Sequence, residues 1–211
     1  MKPTLTIVIC SYKYGHLASH AIESVLSQTV KPDHIRFVDD GVGDCNHLPT
    51  LYPEVDFLMR EKNLGTVDNF QDMLRRVKTD YVMFLGADNW LRPDTVEILK
   101  ECMVQHPNDI IMYDILVTGE LAKQWLTNHS IPHTQQEGGY IWKRDDGHHG
   151  SMCYNVSKAK EVGGYNEGYG KVTLEDQALF NRMKANGSLV THIHEPLLFY
   201  RRHRENHNKI K

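Results

Sequence analysis

Apolar and polar positions along the first half of the chain switch between two periods, and each switch marks an element. Thr4-Leu-Thr-Ile-Val-Ile-Cys10 is β-branched and uninterrupted, which predicts a buried strand. Leu17, Ala21, Ile22, Val25 and Leu26 then share one helical face, and that helix should stop before Lys31-Pro32. His34–Val38 reads as a second strand ending in Asp39-Asp40-Gly41, and Val55–Met59 as a third. Val67, Phe70, Leu74 and Val77 fall at helical spacing. Tyr81–Leu85 makes a fourth strand, running into Gly86-Ala-Asp-Asn-Trp90. Pro93 sits at a helix start, Val96, Leu99 and Met103 mark its buried face, and His106-Pro107 closes it. Ile110–Tyr113 is a fifth strand.

Short strands separated by helices imply βαβ units, hence an α/β fold with a mostly parallel sheet flanked by helices. The pattern changes at Thr118–Gly150, which is weakly periodic and carries Gly138-Gly139 and Asp145-Asp-Gly-His-His-Gly150. Loops, short strands and a mobile flap are expected there. Beyond Ser151 come a short strand, a helix from Glu175 to about Ala185, and a final pair of apolar strands reaching Tyr200. The second half is therefore irregular, with short antiparallel strands. No internal repeat or low-complexity linker divides the chain, so one domain is expected.

Composition narrows the function classes. The 211 residues include 24 Lys+Arg against 27 Asp+Glu, a formal net charge of −3, which lacks the basic excess of a dedicated nucleic-acid binder. Apolar runs fall far short of the ~20 residues of a membrane span. Leu5–Cys10 runs straight into Ser-Tyr-Lys-Tyr, so no secretory leader is expected and a cytoplasmic setting is. Cys10, Cys45, Cys102 and Cys153 are scattered, which suggests reduced thiols and no structural zinc. The 13 histidines are an excess that composition alone does not assign.

In an open parallel sheet, ligands bind beyond the carboxyl ends of the strands. Ser11-Tyr12, Asp39-Asp40-Gly41 and Asp88-Asn89 each follow a strand and so share one edge. Wet loops explain Ser11 and Tyr12 equally well. They explain the adjacent acids after two apolar strands less well.

Several segments in order are similar to glycosyltransferase family 2. These are Thr6–Tyr12, Ala21–Thr29, Val38-Asp-Asp-Gly41, Asn63-Leu-Gly65 and Phe84–Asp94, then Gly163–Glu167, Glu175-Asp176 with Arg182, and Tyr200–His203. The resemblance spans roughly 4–207 and implies a GT-A (Rossmann-like) fold that binds a nucleotide-diphospho-sugar with Mn²⁺ or Mg²⁺. On that reading residues 1–115 form a nucleotide-binding half and 116–211 an acceptor-binding and catalytic half. The size also resembles the first domain of a larger, virus-encoded glycosyltransferase, active in a host cytoplasm.

The resemblance implies Ser11, Tyr12, Asp39, Asp40, Asn63, Gly65 and Ala87 at the nucleotide, with Arg201 on phosphate. It implies Asp88 and His203 at the metal. Asp176 would be the general base, with Glu175 orienting it or capping the helix; acids in a first helical turn are also stabilised by the macrodipole alone. The chain departs from the family in two places. Gly86 replaces the first acid of the Asp-x-Asp pattern, and Asp39–Asp44 lacks the usual hydroxyl residues after Gly41. A UDP- or dTDP-hexose donor and a glycan or glycoconjugate acceptor are implied, with inversion at the sugar carbon.

The other candidates are weaker. His148 and His149 in their glycine-flanked loop, and Trp90, could meet acceptor sugar. Trp125 and Trp142 could stack on sugars, although core packing is commoner for tryptophan. His192 and His194, at i and i+2, could bind zinc, but no third ligand is evident nearby in sequence, so an exposed strand face is expected. Two rival functions remain. A sugar nucleotidyltransferase would need a glycine-rich loop after the first strand, where Cys10–Gly15 has a single glycine. A non-catalytic sugar-nucleotide or glycan-binding module is suggested by Gly86.

Overall fold

The computed structural model describes residues 2–145, 147–165 and 174–206. Asp146, Asn166 and Glu167, within the motifs above, lie outside these, as does His207, one of the 13 histidines. In chain order come β1 (Leu5–Ser11), α1 (Gly15–Leu26), β2 (His34–Asp39), α2 (Leu48–Leu51) and β3 (Asp56–Met59). Then follow α3 (Thr66–Arg76), β4 (Tyr81–Gly86), β5 (Trp90–Leu91), α4 (Thr95–Gln105) and β6 (Ile110–Thr118). The second half holds α5 (Ala122–Asn128), β7 (Thr134–Gln136), β8 (Gly139–Trp142), β9 (Met152–Asn155), α6 (Val156–Glu161), α7 (Glu175–Ala185) and β10 (Val190–Arg201). Among the described residues no helix is long and apolar enough to cross a membrane, and the four cysteines are free.

The main sheet path is β3-β2-β1-β4-β9-β6-β10-β5, with the β7–β8 hairpin joined to β6 through β8. β3, β2, β1 and β4 run parallel, as does β10 with β6. β9 enters antiparallel between β4 and β6, and β5 pairs antiparallel with β10.

Strand alternation divides the core in two. Leu5, Ile7, Ile9, Met83 and Leu85 pack with α1, α4 and α5 on one face. Val8, Val82 and Phe84 pack with α3, α6 and α7 on the other. Burial on both faces is why these strands read as continuous apolar runs. Each fully buried Ile or Val contributes about 1.5–3 kcal/mol relative to exposure.

Three expectations change. Thr118–Gly150 contains a helix, α5, which buries Ala122, Trp125 and Leu126 at i, i+3 and i+4, and a hairpin that docks Trp142 opposite Ile115. The strand expected over Ile110–Tyr113 continues to Thr118, its polar Asp114 buried in line with the rest. The final pair of strands is one strand, β10, whose register against β6 shifts between Ile193 and Leu198. Glu195 and Pro196 interrupt the apolar pattern there without ending the ladder.

Candidate active site

Parallel pairing brings the strand ends level: Ser11 lies opposite Asp39, and Cys10 opposite Gly86. The ladder runs one residue further, because Asp40 N–H donates to Ser11 O at 2.9 Å and Ala87 N–H to Cys10 O at 2.9 Å. A cavity of about 370 Å³ opens at this edge, within the range of small-ligand sites. Ser11, Tyr12, Asp40, Asn63, Gly65 and Asp88 line it, all expected from sequence, together with His148.

The two adjacent acids have separate roles. Asp39 is fully buried, does not line the cavity, and accepts from Gly43 N–H at 2.7 Å and Val42 N–H at 3.3 Å, so it folds its own loop. Asp40 faces the cavity and accepts from Leu64 N–H at 3.0 Å and Gly65 N–H at 3.1 Å, tying the start of α3 to β2. Burial raises the Asp40 pKa, opposed by those two N–H groups and by Arg60, which lies 3.5 Å away. Gly41 between the loops has φ +78°, and a Cβ there would lie 2.3 Å from Asn63 N, so only glycine fits this close approach.

Asp88 is held from behind. Its Oδ2 accepts from Asn206 Nδ2 at 2.8 Å and lies 3.4 Å from His203 Nε2. Asn206 also accepts from His203 N–H at 2.7 Å, so one amide fixes both groups. Asn89 accepts from Arg201 N–H at 2.9 Å and anchors the end of β10 over the β4–β5 turn. The Asp88–His203 spacing suits two donors on one divalent cation whose other ligands are phosphate and water. The donor set therefore fits a divalent metal ion.

Other candidates stand elsewhere. Arg201, expected at phosphate, instead donates from Nη2 to His20 Nδ1 at 2.8 Å and lies over the Trp90 ring. Burial and the Arg201 charge lower the His20 pKa, which matches an accepting, neutral imidazole. Trp90 has His20 stacked at 4.6 Å and Phe199 at 5.1 Å, so its faces are taken and it does not line the cavity. Ala87 is buried behind the cavity wall.

Arg202 takes the place expected of Arg201. It is buried, lines the cavity, and packs its guanidinium over Trp125 and Tyr200. Alternation along a strand puts Tyr200 and Arg202 on one side and Arg201 on the other, a signal present in the sequence. Asn206 was also missed, and no motif marks it.

His148 Nδ1 accepts from Gly150 N–H at 3.0 Å, so it caps its own turn while facing the cavity. His149 lies in the 3₁₀ turn that follows, and its side chain lies outside what is described. Glu175 and Asp176 form the first turn of α7; Asp176 is buried and is not among the lining residues. Phe84, which lines the cavity, packs on Tyr154 and Tyr165, and the Asp176 charge helps raise the pKa of both tyrosines beyond what burial does. Leu179 and Phe180 of α7 share a buried cluster with Phe84, so the helix lies on the same flank as the cavity.

A sheet edge presenting Asp40 and Asp88 around one cavity is where an α/β fold holds its ligand. The family model for glycosyl transferase family 2 matches residues 6–163, and the chain belongs to that family. It is 26% identical over 110 residues to glycosyltransferase GlyA of Streptococcus pneumoniae serotype 4, covering 50% of this chain and 16% of that protein. It is 27% identical over 156 residues to chondroitin synthase of Escherichia coli, covering 66% and 20%. The chain thus spans a fifth or less of these relatives. Residues 1–349 of S. aureus TarS share the fold, with a TM-score of 0.74 at 14% identity over 94% of this chain and 60% of that one. The fold is GT-A, with a mixed sheet whose strands β3, β2, β1 and β4 run parallel. TarS 1–349 was also solved with UDP-GlcNAc, at a TM-score of 0.72 and 13% identity over 97% and 60%.

Proposed function

We propose that the chain transfers a hexose from a nucleotide-diphospho-sugar, a UDP- or dTDP-hexose, to a hydroxyl of a glycan or glycoconjugate, with inversion. The observation that carries this reading is Asp88, buttressed by Asn206 and facing Asp40 and Tyr12 across one cavity. Family membership supports it, as does the UDP-GlcNAc complex of TarS, a protein of the same fold.

On this reading Tyr12, Asp40 and Asn63 hold the nucleoside, and residues 1–115 form the donor half. Asp88 and His203 would hold Mn²⁺ or Mg²⁺, which when bound neutralises charge developing on the departing nucleoside diphosphate. Arg202 offers a guanidinium to the same phosphates, in the role first expected of Arg201. Asp176 takes the proton of the acceptor hydroxyl, and that oxygen attacks the anomeric carbon opposite the leaving diphosphate. His148 is a candidate acceptor contact in the second half, residues 116–211.

A second reading, a module that binds sugar nucleotides without chemistry, draws on the position of Asp176 outside the cavity wall. One experiment separates them. Isothermal titration with UDP- and dTDP-sugars, with and without Mn²⁺, is paired with donor hydrolysis and transfer assays. Asp176→Asn should keep nucleotide affinity within about twofold and lose about 10²–10⁴ in turnover. Full turnover in that variant removes Asp176 as base. Binding with no turnover in the unmodified protein favours the module.

A further inference from the structure

The second cluster of metal-ligating side chains lies away from the cavity. Asp114 on β6 and His192 and His194 on β10 bring one donor atom each within 4.8 Å of one another, and none lines the donor cavity. Two features of the fold assemble them. His192 pairs with Met112, so it projects on the same face of the sheet as Asp114. The register shift then admits His194 and Glu195 between the pairs Ile193–Tyr113 and Pro196–Asp114. His194 stays beside His192, with ring centroids 4.2 Å apart at 40°.

Asp114 is buried with few partners. It is 2% exposed, and Oδ1 accepts from Arg144 N–H at 3.2 Å and contacts His192 Nε2 at 3.0 Å. Among the described residues no lysine or arginine comes within ion-pair distance of it. A buried carboxylate without a fixed cation is costly. The side-chain hydrogen-bond partner of Asp114 is an imidazole, itself beside a second imidazole. A metal ion would satisfy all three.

We propose that Asp114, His192 and His194 bind one first-row transition-metal dication of the zinc type, fastening β10 to β6. Two imidazoles and a carboxylate select such ions over Mg²⁺ or Ca²⁺, which prefer all-oxygen shells. Three protein ligands leave a fourth position for water or a further ligand. Donors around tetrahedral zinc, with bonds of about 2.0–2.2 Å, sit roughly 3.3 Å apart, so a small inward movement of exposed His194 completes the set. The Arg144 N–H orients the carboxylate from outside. The scattered cysteines that argue against a thiolate zinc site have no bearing on this one, and the proposal stands independently of the donor chemistry.

The test is Co²⁺ and Zn²⁺ titration of the Asp88→Asn protein without nucleotide, which removes the donor-site metal from consideration. One saturating equivalent is expected, with the visible absorption of tetrahedral Co²⁺. A Tm rise of about 5–10 °C should appear at a hundredfold excess of Zn²⁺ over Kd. Adding His194→Gln, an exposed position tolerant of change, should abolish the absorption and the Tm rise. Adding His133→Gln instead should preserve both, which excludes general histidine binding. Absence of saturable binding, or equal binding after His194→Gln, overturns the proposal.

Discussion

Gly86 occupies the place of the first acid in the family's Asp-x-Asp pattern, and its surroundings explain why. A Cβ there would lie 2.8 Å from both Asp88 Oδ1 and Asn89 Nδ2. Both side chains are committed, Asp88 to Asn206 and Asn89 to the Arg201 backbone. Reinstating the acid by Gly86→Asp should therefore displace Asp88. The expected result is a loss of about 1–3 kcal/mol by thermal denaturation and weaker binding of UDP-sugar by calorimetry. Tighter binding would refute the steric account. At this scale the sequence revealed the cavity acids well, because Asp40 and Asp88 each interrupt an apolar strand at its end. It could not divide Asp39 from Asp40, since which acid turns inward depends on the Val42 and Gly43 amides. Asn206 was invisible, because its role exists only once the segment after β10 has folded against the β4–β5 turn.

At the scale of elements, β1 and β4 were legible because burial on both faces leaves them almost wholly apolar. α5 was obscured by its length: a 7-residue helix offers scarcely two turns of periodicity, and Trp125 packs it on Trp142 and Arg202. The third partner of His192 and His194 escaped notice because Asp114 is brought to them by strand pairing rather than by chain proximity. The junction of β1 with β4 depends on a local charge. Asp80 Oδ2 accepts from Thr4 N–H at 2.8 Å and from Thr4 Oγ1 at 2.7 Å, and these bonds lower its pKa below the usual 3.8. A depressed carboxyl pKa stabilises the fold above pH 3.8 and loses that contribution as pH falls below it. Asp80→Asn should thus cost less than about 1 kcal/mol at pH 7, given the exposed site, with the gap closing in acid. Urea titrations at pH 7 and pH 3 would measure it, and a gap that widens in acid would contradict the assignment.

At the scale of the molecule, stability is unevenly distributed. β1 is enclosed between β2 and β4, and Ile7, Val8 and Ile9 are fully buried, whereas all three residues of β7 are exposed. Native-state hydrogen exchange should find the Ile7–Ile9 amides opening only with the whole fold, and Gln135 opening locally at much lower cost. Equal protection of the two would refute this. The sheet is also assembled out of chain order: β10, last among the described strands, lies between β6 and β5. During synthesis, β6 therefore leaves the ribosome long before its neighbour exists, with a nine-residue edge, mostly apolar, unpaired. Until residues 190–201 emerge, the nascent chain can neither close its sheet nor shield that edge. Its early life therefore includes an exposed, aggregation-prone edge, and translational stalling before residue 190 would prolong it.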